Sequence, residues 1–179
     1  MKKRIFTIVA ALTLASLSLT GCGSDDTKET TTVAGNNSSV SHEAKGYIFE
    51  ADGVKVGMDM EAAPIIKALG EPKNYFEAAS CAFEGLDKMY GYGSYEVDTY
   101  ELEGKDYISG VIFKDDMVST PEGVSIGKTK DDMIKAYGDG FKEEQGMLVY
   151  EKEETKIKFV VDANNEITSI TYSSTILDK

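Results

Sequence analysis

Gly123-Val124-Ser125-Ile126-Gly127-Lys128-Thr129-Lys130-Asp131-Asp132-Met133-Ile134-Lys135-Ala136-Tyr137-Gly138 carries the same chemistry as an earlier part of the chain. Gly53-Val54-Lys55-Val56-Gly57 matches its first five residues, and Ile66-Lys67-Ala68-Leu69-Gly70 its last five. A third block follows in both copies, Ile108-Ser109-Gly110-Val111-Ile112-Phe113 and Ile167-Thr168-Ser169-Ile170-Thr171-Tyr172. Three matched blocks in one order mark an internal repeat. In the second copy Thr129, with Asp132 three residues on, predicts a capping box. Met133, Ile134 and Tyr137 share one helical face, and Gly138 is placed to stop the helix. In the first copy Pro64 suits a first helical turn, Ile65, Ile66 and Leu69 form the apolar face, Gly70 ends the helix and Pro72 prevents its resumption.

Beyond each helix the period changes from 3.6 to 2. Tyr95, Val97 and Thr99 alternate with Glu96, Asp98 and Tyr100, and Ile157, Phe159 and Val161 alternate with Lys156, Lys158 and Val160. Each run passes through a polar turn, Glu103 to Asp106 or Ala163 to Glu166, into its Ile-containing block. With Lys88 to Tyr92 and Met147 to Lys152 as preceding strands, the expected fold class is α+β. Two tandem units are expected, each a short helix packed on a three- to four-stranded antiparallel meander. The expected boundaries are 46–118 for the first unit and 119–179 for the second.

Gly127-Lys128-Thr129-Lys130-Asp131-Asp132-Met133 with Tyr137-Gly138, and Leu69-Gly70-Glu71-Pro72 in the first copy, resemble the G-x-T-x-x-x-V…L-G-x-P pattern of the small β-barrel-assembly lipoproteins. The tandem arrangement is similar to that of the secreted β-lactamase inhibitor proteins. The resemblance implies a module that presents a sheet face or loops to another protein, without catalysis. It assigns no functional residue, because neither family's partner-binding residues have a match here.

The two copies differ in one place. Gly70 to Ile108 spans 38 positions and Gly138 to Ile167 spans 29, an excess of nine residues around Tyr75 to Asp87. Ser80, Cys81, Glu84 and Asp87 are candidates to line a groove, with carboxylates for a cation or a partner's basic residue. The competing expectation, which we favour, is that Tyr75, Phe76, Cys81 and Phe83 extend the core while the acids face water. Cys81 is expected to be a buried, inert thiol, because no His or Arg in the folded part is available to lower its pKa. Tyr90, Tyr92 and Tyr95, with Tyr100 and Tyr107, are expected on an open sheet face, since tyrosines suit protein interfaces.

Lys2, Lys3 and Arg4 precede an apolar run from Ile5 to Leu19, of the length of a signal-peptide core and short for a membrane-spanning helix. Leu19-Thr20-Gly21-Cys22 resembles the lipobox of bacterial lipoproteins. The resemblance implies cleavage after residue 21 and a diacylglycerol on Cys22, so that residues 1–21 are a signal peptide. Two or three acyl chains hold a protein stably on a bilayer, at roughly 0.8 kcal/mol per buried methylene. Residues 22–45 are polar and are expected to tether the folded part with a reach of about 25 Å.

Loss of Lys2, Lys3 and Arg4 leaves 16 cations, all Lys, against 31 acids, a net charge of -15. Such a surface repels phosphate backbones and anionic headgroups, which excludes nucleic acid as a partner. The one imidazole, His42, lies in the tether, so Ser-His-Asp sites, Cys-His sites and multi-His zinc sites have no basis. Ser125-Ile126-Gly127-Lys128, the Gly-rich 123–129 stretch and the paired acids Asp115-Asp116 and Asp131-Asp132 read as turn and cap chemistry. The sequence therefore predicts a lipoprotein on the outer face of the cell membrane, acting as a non-catalytic protein-binding module of the envelope. No cofactor or metal is expected, and an envelope protein of unspecified identity is the expected partner. Two alternatives remain open: a small hydrolase or thiol enzyme using Cys81 and nearby carboxylates, and a divalent-cation or small-ligand binding protein.

Overall fold

The computed structural model describes residues 44–82 and 84–178. The expected signal peptide, Cys22, His42 and Phe83 lie outside the described residues. The chain opens with a hairpin of β1 (Ile48–Ala51) and β2 (Val54–Gly57), continues into α1 (Ala62–Leu69), and then forms β3 (Asn74–Ala79), β4 (Leu86–Gly91), β5 (Tyr95–Leu102) and β6 (Lys105–Phe113). After an irregular crossing come α2 (Lys130–Tyr137), β7 (Lys142–Glu144), β8 (Met147–Lys152), β9 (Thr155–Val161), β10 (Ile167–Ser174) and a 3-10 turn, Thr175–Asp178.

The expected pair of tandem helix-plus-sheet units is not what forms. The protein is mostly β, and β3 to β10 make one eight-stranded antiparallel sheet in the order β3-β4-β5-β6-β10-β9-β8-β7. Its centre is the pairing of the two Ile-containing blocks, Gly110 with Ser173, Val111 with Tyr172 and Ile112 with Thr171. The physical reason is twofold. Each block, as the last strand of a separate meander, would leave an unpaired backbone edge amid buried apolar residues, and joining the two edges satisfies both. Each helix is also only eight residues long, with Ala62 and Ile65 buried in α1 and Met133 in α2, too little to cover a sheet alone.

The cover is completed by the β1–β2 hairpin, which the sequence reading did not foresee, and by Val124 in the crossing. Phe49, Val56, Ala62, Ile65, Val124 and Met133 pack with Tyr95, Val97, Ile108, Val111, Ile157, Phe159, Ile170 and Tyr172 in a single core. Full burial of side chains of this kind contributes roughly 1.5–3 kcal/mol each. All of this core lies on one face of the sheet.

The repeat survives in how each helix is seated. Asp59 N–H donates to the Ile108 carbonyl and Ile108 N–H to that of Met60, while Gly127 N–H donates to Ile167 and Ile167 N–H to Lys128. The chain entering each helix is thus pinned to its own Ile-containing strand. Thr129 forms the expected capping box with Asp132. Gly70 (φ 84) and Gly138 (φ 85) close the helices by donating to the carbonyls of Ile66 and Ile134. Both adopt a backbone conformation that L side chains avoid.

Candidate binding site

Strand alternation assigns the chemistry of the face opposite the core. Tyr95 and Val97 of β5 point into the core, so Glu96 and Asp98 point the other way. The β5–β6 register then shifts, with Asp98 opposite Gly110 and Thr99 opposite Ile108, leaving Ser109 as the extra residue of a bulge. Beside this bulge is a groove of about 250 Å³. Phe76, Ala78 and Met89 supply its apolar lining and Asp87, Asp98 and Ser109 its polar lining.

The two acids of β5 on this face differ in their circumstances. Glu96 meets Lys114 at 3.4 Å. Asp98 has no such ion pair, and its Oδ1 is buried without a hydrogen-bond partner. Burial, followed by repulsion from Glu96, pushes its pKa up to about 6, with Asp87 adding to the shift and Lys114 opposing it. Pairing registers place Phe76, Met89, Asp98, Gly110 and Ser173 in one row across the sheet and on one face. Ser173 Oγ is also buried without a partner. Between the two acceptors, the position a Gly110 Cβ would take has only one heavy atom within 4 Å, the Tyr172 carbonyl oxygen at 3.0 Å.

A second concavity, about 310 Å³, shares Tyr100 with the region of the first and is lined also by Asp59, Leu102 and Tyr107. Of its two carboxylates, Asp59 and Glu154, the first is hydrogen-bonded on both oxygens: Tyr100 donates to it at 3.0 Å and Ser174 at 2.8 Å. Burial and the Asp59 charge together hold the Tyr100 hydroxyl well above its ordinary pKa.

The insertion does not extend the core, which corrects the favoured sequence expectation. It forms the edge strand β3 and its turn to β4, and every residue of β3 is exposed. Tyr75 and Phe76 are 51% and 60% exposed. Tyr75 packs against Tyr90 with ring centroids 5.1 Å apart and the rings tilted by 50°, and it donates a short hydrogen bond to Glu77. Cys81, expected to be buried, is an exposed free thiol because the turn carries it away from the sheet. Ser80 accepts a hydrogen bond from Ala82 N–H, Glu84 is exposed, and Asp87 reaches the groove.

The tyrosine expectation is also corrected. Tyr95 is 6% exposed and packs on Phe49 in the core, and Tyr90 and Tyr92 pack half-buried against that core. They share the parity of Val97, directly opposite Tyr90, and so lie on the covered face. Phe76, Met89 and Ser109 were missed by sequence reasoning. Asp98 entered it as a polar position of the strand alternation and as one of the carboxylates open to the enzymatic alternative. The available signal was Asp98 itself, an acid flanked in sequence by Val97 and Thr99 in a strand of strong β-formers. Among the described residues no group of three or more His, Cys, Asp or Glu is arranged to hold a metal ion, and no helix is long and apolar enough to cross a membrane.

No family model and no curated protein matches the chain. Among solved structures, the fold is similar to that of an extracellular protein containing a SCP domain from Bacillus anthracis str. Ames. That match has a TM-score of 0.50 and 14% identity and covers 70% of this chain and 47% of the other. A second likeness, to the DUF4309 family protein YjgB of Bacillus subtilis subsp. subtilis str. 168, has a TM-score of 0.41 and 14% identity, over 69% of this chain and 84% of that one. The chain therefore spans about half the length of the first of these structures. The likeness is one of fold, and an extracytoplasmic location is compatible with that neighbour's description as extracellular.

Proposed function

We propose that the chain is a lipid-anchored extracytoplasmic lipoprotein that acts as a non-catalytic protein-binding module, and that its working surface is the groove on the sheet face opposite the core with the adjoining β3 edge. The anchoring half of this reading is supported by the basic start, the apolar run and Leu19-Thr20-Gly21-Cys22. The binding half is carried by one observation: Phe76 and Met89, 60% and 37% exposed, flank an acid whose Oδ1 has no partner within the fold. Exposed apolar residues around an unsatisfied buried polar atom are what an interface leaves open when its partner is absent.

The test is site-directed photo-crosslinking in intact cells, with a photoreactive residue at Phe76 of the full-length chain and, as control, at the exposed Lys67 of α1. A discrete protein adduct from Phe76 and none from Lys67 supports the reading. No adduct from Phe76, or the same adducts from both positions, refutes it. Anchoring is tested separately, since Cys22→Ser must release the chain from the membrane fraction.

A further inference from the structure

We infer that the β3 edge pairs with the same edge of a second copy of this chain, antiparallel and in the register that sets Phe76 opposite Phe76 of the second copy. The inference names a partner for the β3 edge and rests on the reading of that edge as part of the working surface.

The backbone defines the class of occupant. β3 ends the sheet order and pairs regularly with β4 from Asn74 to Ala79. Ser80 N–H donates to the Gly85 carbonyl at 3.0 Å, one step beyond the pairing of Ala79 with Leu86. Hydrogen-bonded and non-hydrogen-bonded pairs alternate in an antiparallel ladder, so Ala78, Phe76 and Asn74 also bond to β4. Tyr75, Glu77 and Ala79 therefore turn their N–H and C=O groups away from the sheet. Donors and acceptors set outward at every second residue are met by another extended strand.

The opposite edge of the sheet is built to refuse one. β7 is three residues long and all of them are charged, with Lys142 and Glu144 reaching Glu151 of β8 and Lys156 of β9. Short, charged edges resist strand addition. β3 is twice as long, carries a single charge, Glu77, and has neither Pro nor Lys. It also presents Phe76, 60% exposed.

The register fits the strand to itself. A two-fold pairing of the outward residues can centre on Phe76, Glu77 or Ala78. Centring on Glu77 opposes like charges directly, which destabilises. Centring on Ala78 sets Ala against Ala and leaves Phe76 opposite Ser80. Centring on Phe76 brings two aromatic rings together in a non-hydrogen-bonded pair, where side chains approach most closely. Glu77 then faces Tyr75 of the second copy, whose hydroxyl already donates to the Glu77 carboxylate of its own strand. The acidic excess of the chain opposes association, and this register keeps the one carboxylate of the edge from facing itself. Copies held on one membrane by the proposed anchor also gain effective concentration. Phe76 lines the groove, so the two grooves meet side by side across the two-fold axis.

The experiment is disulfide crosslinking of the full-length chain in intact cells, in a Cys81→Ser background, with single cysteines at exposed positions and copper-phenanthroline as oxidant. In a non-hydrogen-bonded pair the Cα atoms stand about 4.5 Å apart, within disulfide reach. Phe76→Cys is expected to give a band of twice the chain's mass, several-fold stronger than Glu77→Cys, Ala78→Cys or Lys67→Cys in α1. Co-expressed Tyr75→Cys and Glu77→Cys chains, which keep Phe76, are expected to crosslink with each other and neither with itself. Adding Glu77→Pro to Phe76→Cys removes an outward N–H and is expected to abolish the band. No band from either arrangement, equal bands from all single cysteines, or a band unaffected by Glu77→Pro overturns the inference. If photoreactive Phe76 captures a protein of another mass and no disulfide dimer forms, the protein-binding reading stands and the self-pairing falls. If neither a dimer nor any adduct appears, both fall.

Discussion

The Ser174 hydroxyl donates a 2.8 Å hydrogen bond to the Asp59 carboxylate across 115 positions of chain. Asp59 precedes the helix of the first repeat, and Ser174 ends the last strand of the second. With Tyr100 on its other oxygen at 3.0 Å, Asp59 ties the two copies together at one end of the sheet. Asp59→Ala leaves both hydroxyls without this acceptor and is expected to destabilise the protein by about 1–3 kcal/mol. Ser174→Ala is expected to cost about 1 kcal/mol. Urea unfolding of the two variants checks the order.

Asp98 gives a pH signature of opposite sign to that of a paired carboxylate. Its folded pKa of about 6 lies above the ordinary 3.8, so between these values the native state holds more protons than the unfolded one. Stability from this group is therefore lost as pH rises from about 4 through about 6. Asp98→Asn is expected to be more stable than the natural protein by about 2 kcal/mol at pH 7 and to show little gain at pH 3.5. Urea midpoints at the two pH values measure this.

Gly110 sits where the two halves of the sheet join. A Cβ there would stand 3.0 Å from the Tyr172 carbonyl oxygen, a backbone atom that the β6–β10 pairing holds in place. Gly110→Val is expected to lower stability by about 1–3 kcal/mol through this crowding. Thermal melting reads the effect.

The start of α2 depends on Thr129, which accepts from Asp132 N–H at 3.2 Å while Asp132 accepts from Thr129 N–H at 3.1 Å. Thr129→Ala is expected to cost about 1 kcal/mol. The hydrogen bonds from Thr129 hold the Asp132 carboxyl below its ordinary pKa. Its contribution is present above the ordinary carboxylate range and fades as pH falls through the depressed value. Hydrogen exchange in the first turn of α2 should show the fraying directly.

The end of the same helix isolates backbone strain. Gly138 has φ 85, and no heavy atom lies within 4 Å of where its Cβ would stand. Gly138→Ala meets no clash and is expected to cost about 1–3 kcal/mol from conformation alone. Matched thermal melts with Gly70→Ala, in the same backbone state and equally open space, should give similar losses.

Much of the local structure was legible in the residues. The capping box at Thr129, the closures at Gly70 and Gly138 and the alternation of β9 all follow from neighbours within a few positions, where propensity and hydrogen-bond chemistry act directly. The β1–β2 hairpin passed unnoticed although Asp52-Gly53, both at positive φ, is a strong turn signal. The site was less legible. Parity along β5 separates Tyr95 and Val97 from Glu96 and Asp98, but which set faces water depends on where the helices and hairpin settle.

From local chemistry alone, the chain establishes a repeat, the helix ends, the strand runs and an acidic balance without arginine beyond residue 4. The pairing of Val111 with Tyr172 required the assembled fold, because either Ile-containing strand has an edge able to take several partners and the choice is made by what removes most apolar surface and unpaired backbone from water. The same holds for the insertion. Tyr75 and Phe76 are apolar enough for a core, yet they point to opposite faces of β3, the strand at the end of the sheet order, so both stand exposed at the edge, with Phe76 beside Asp98.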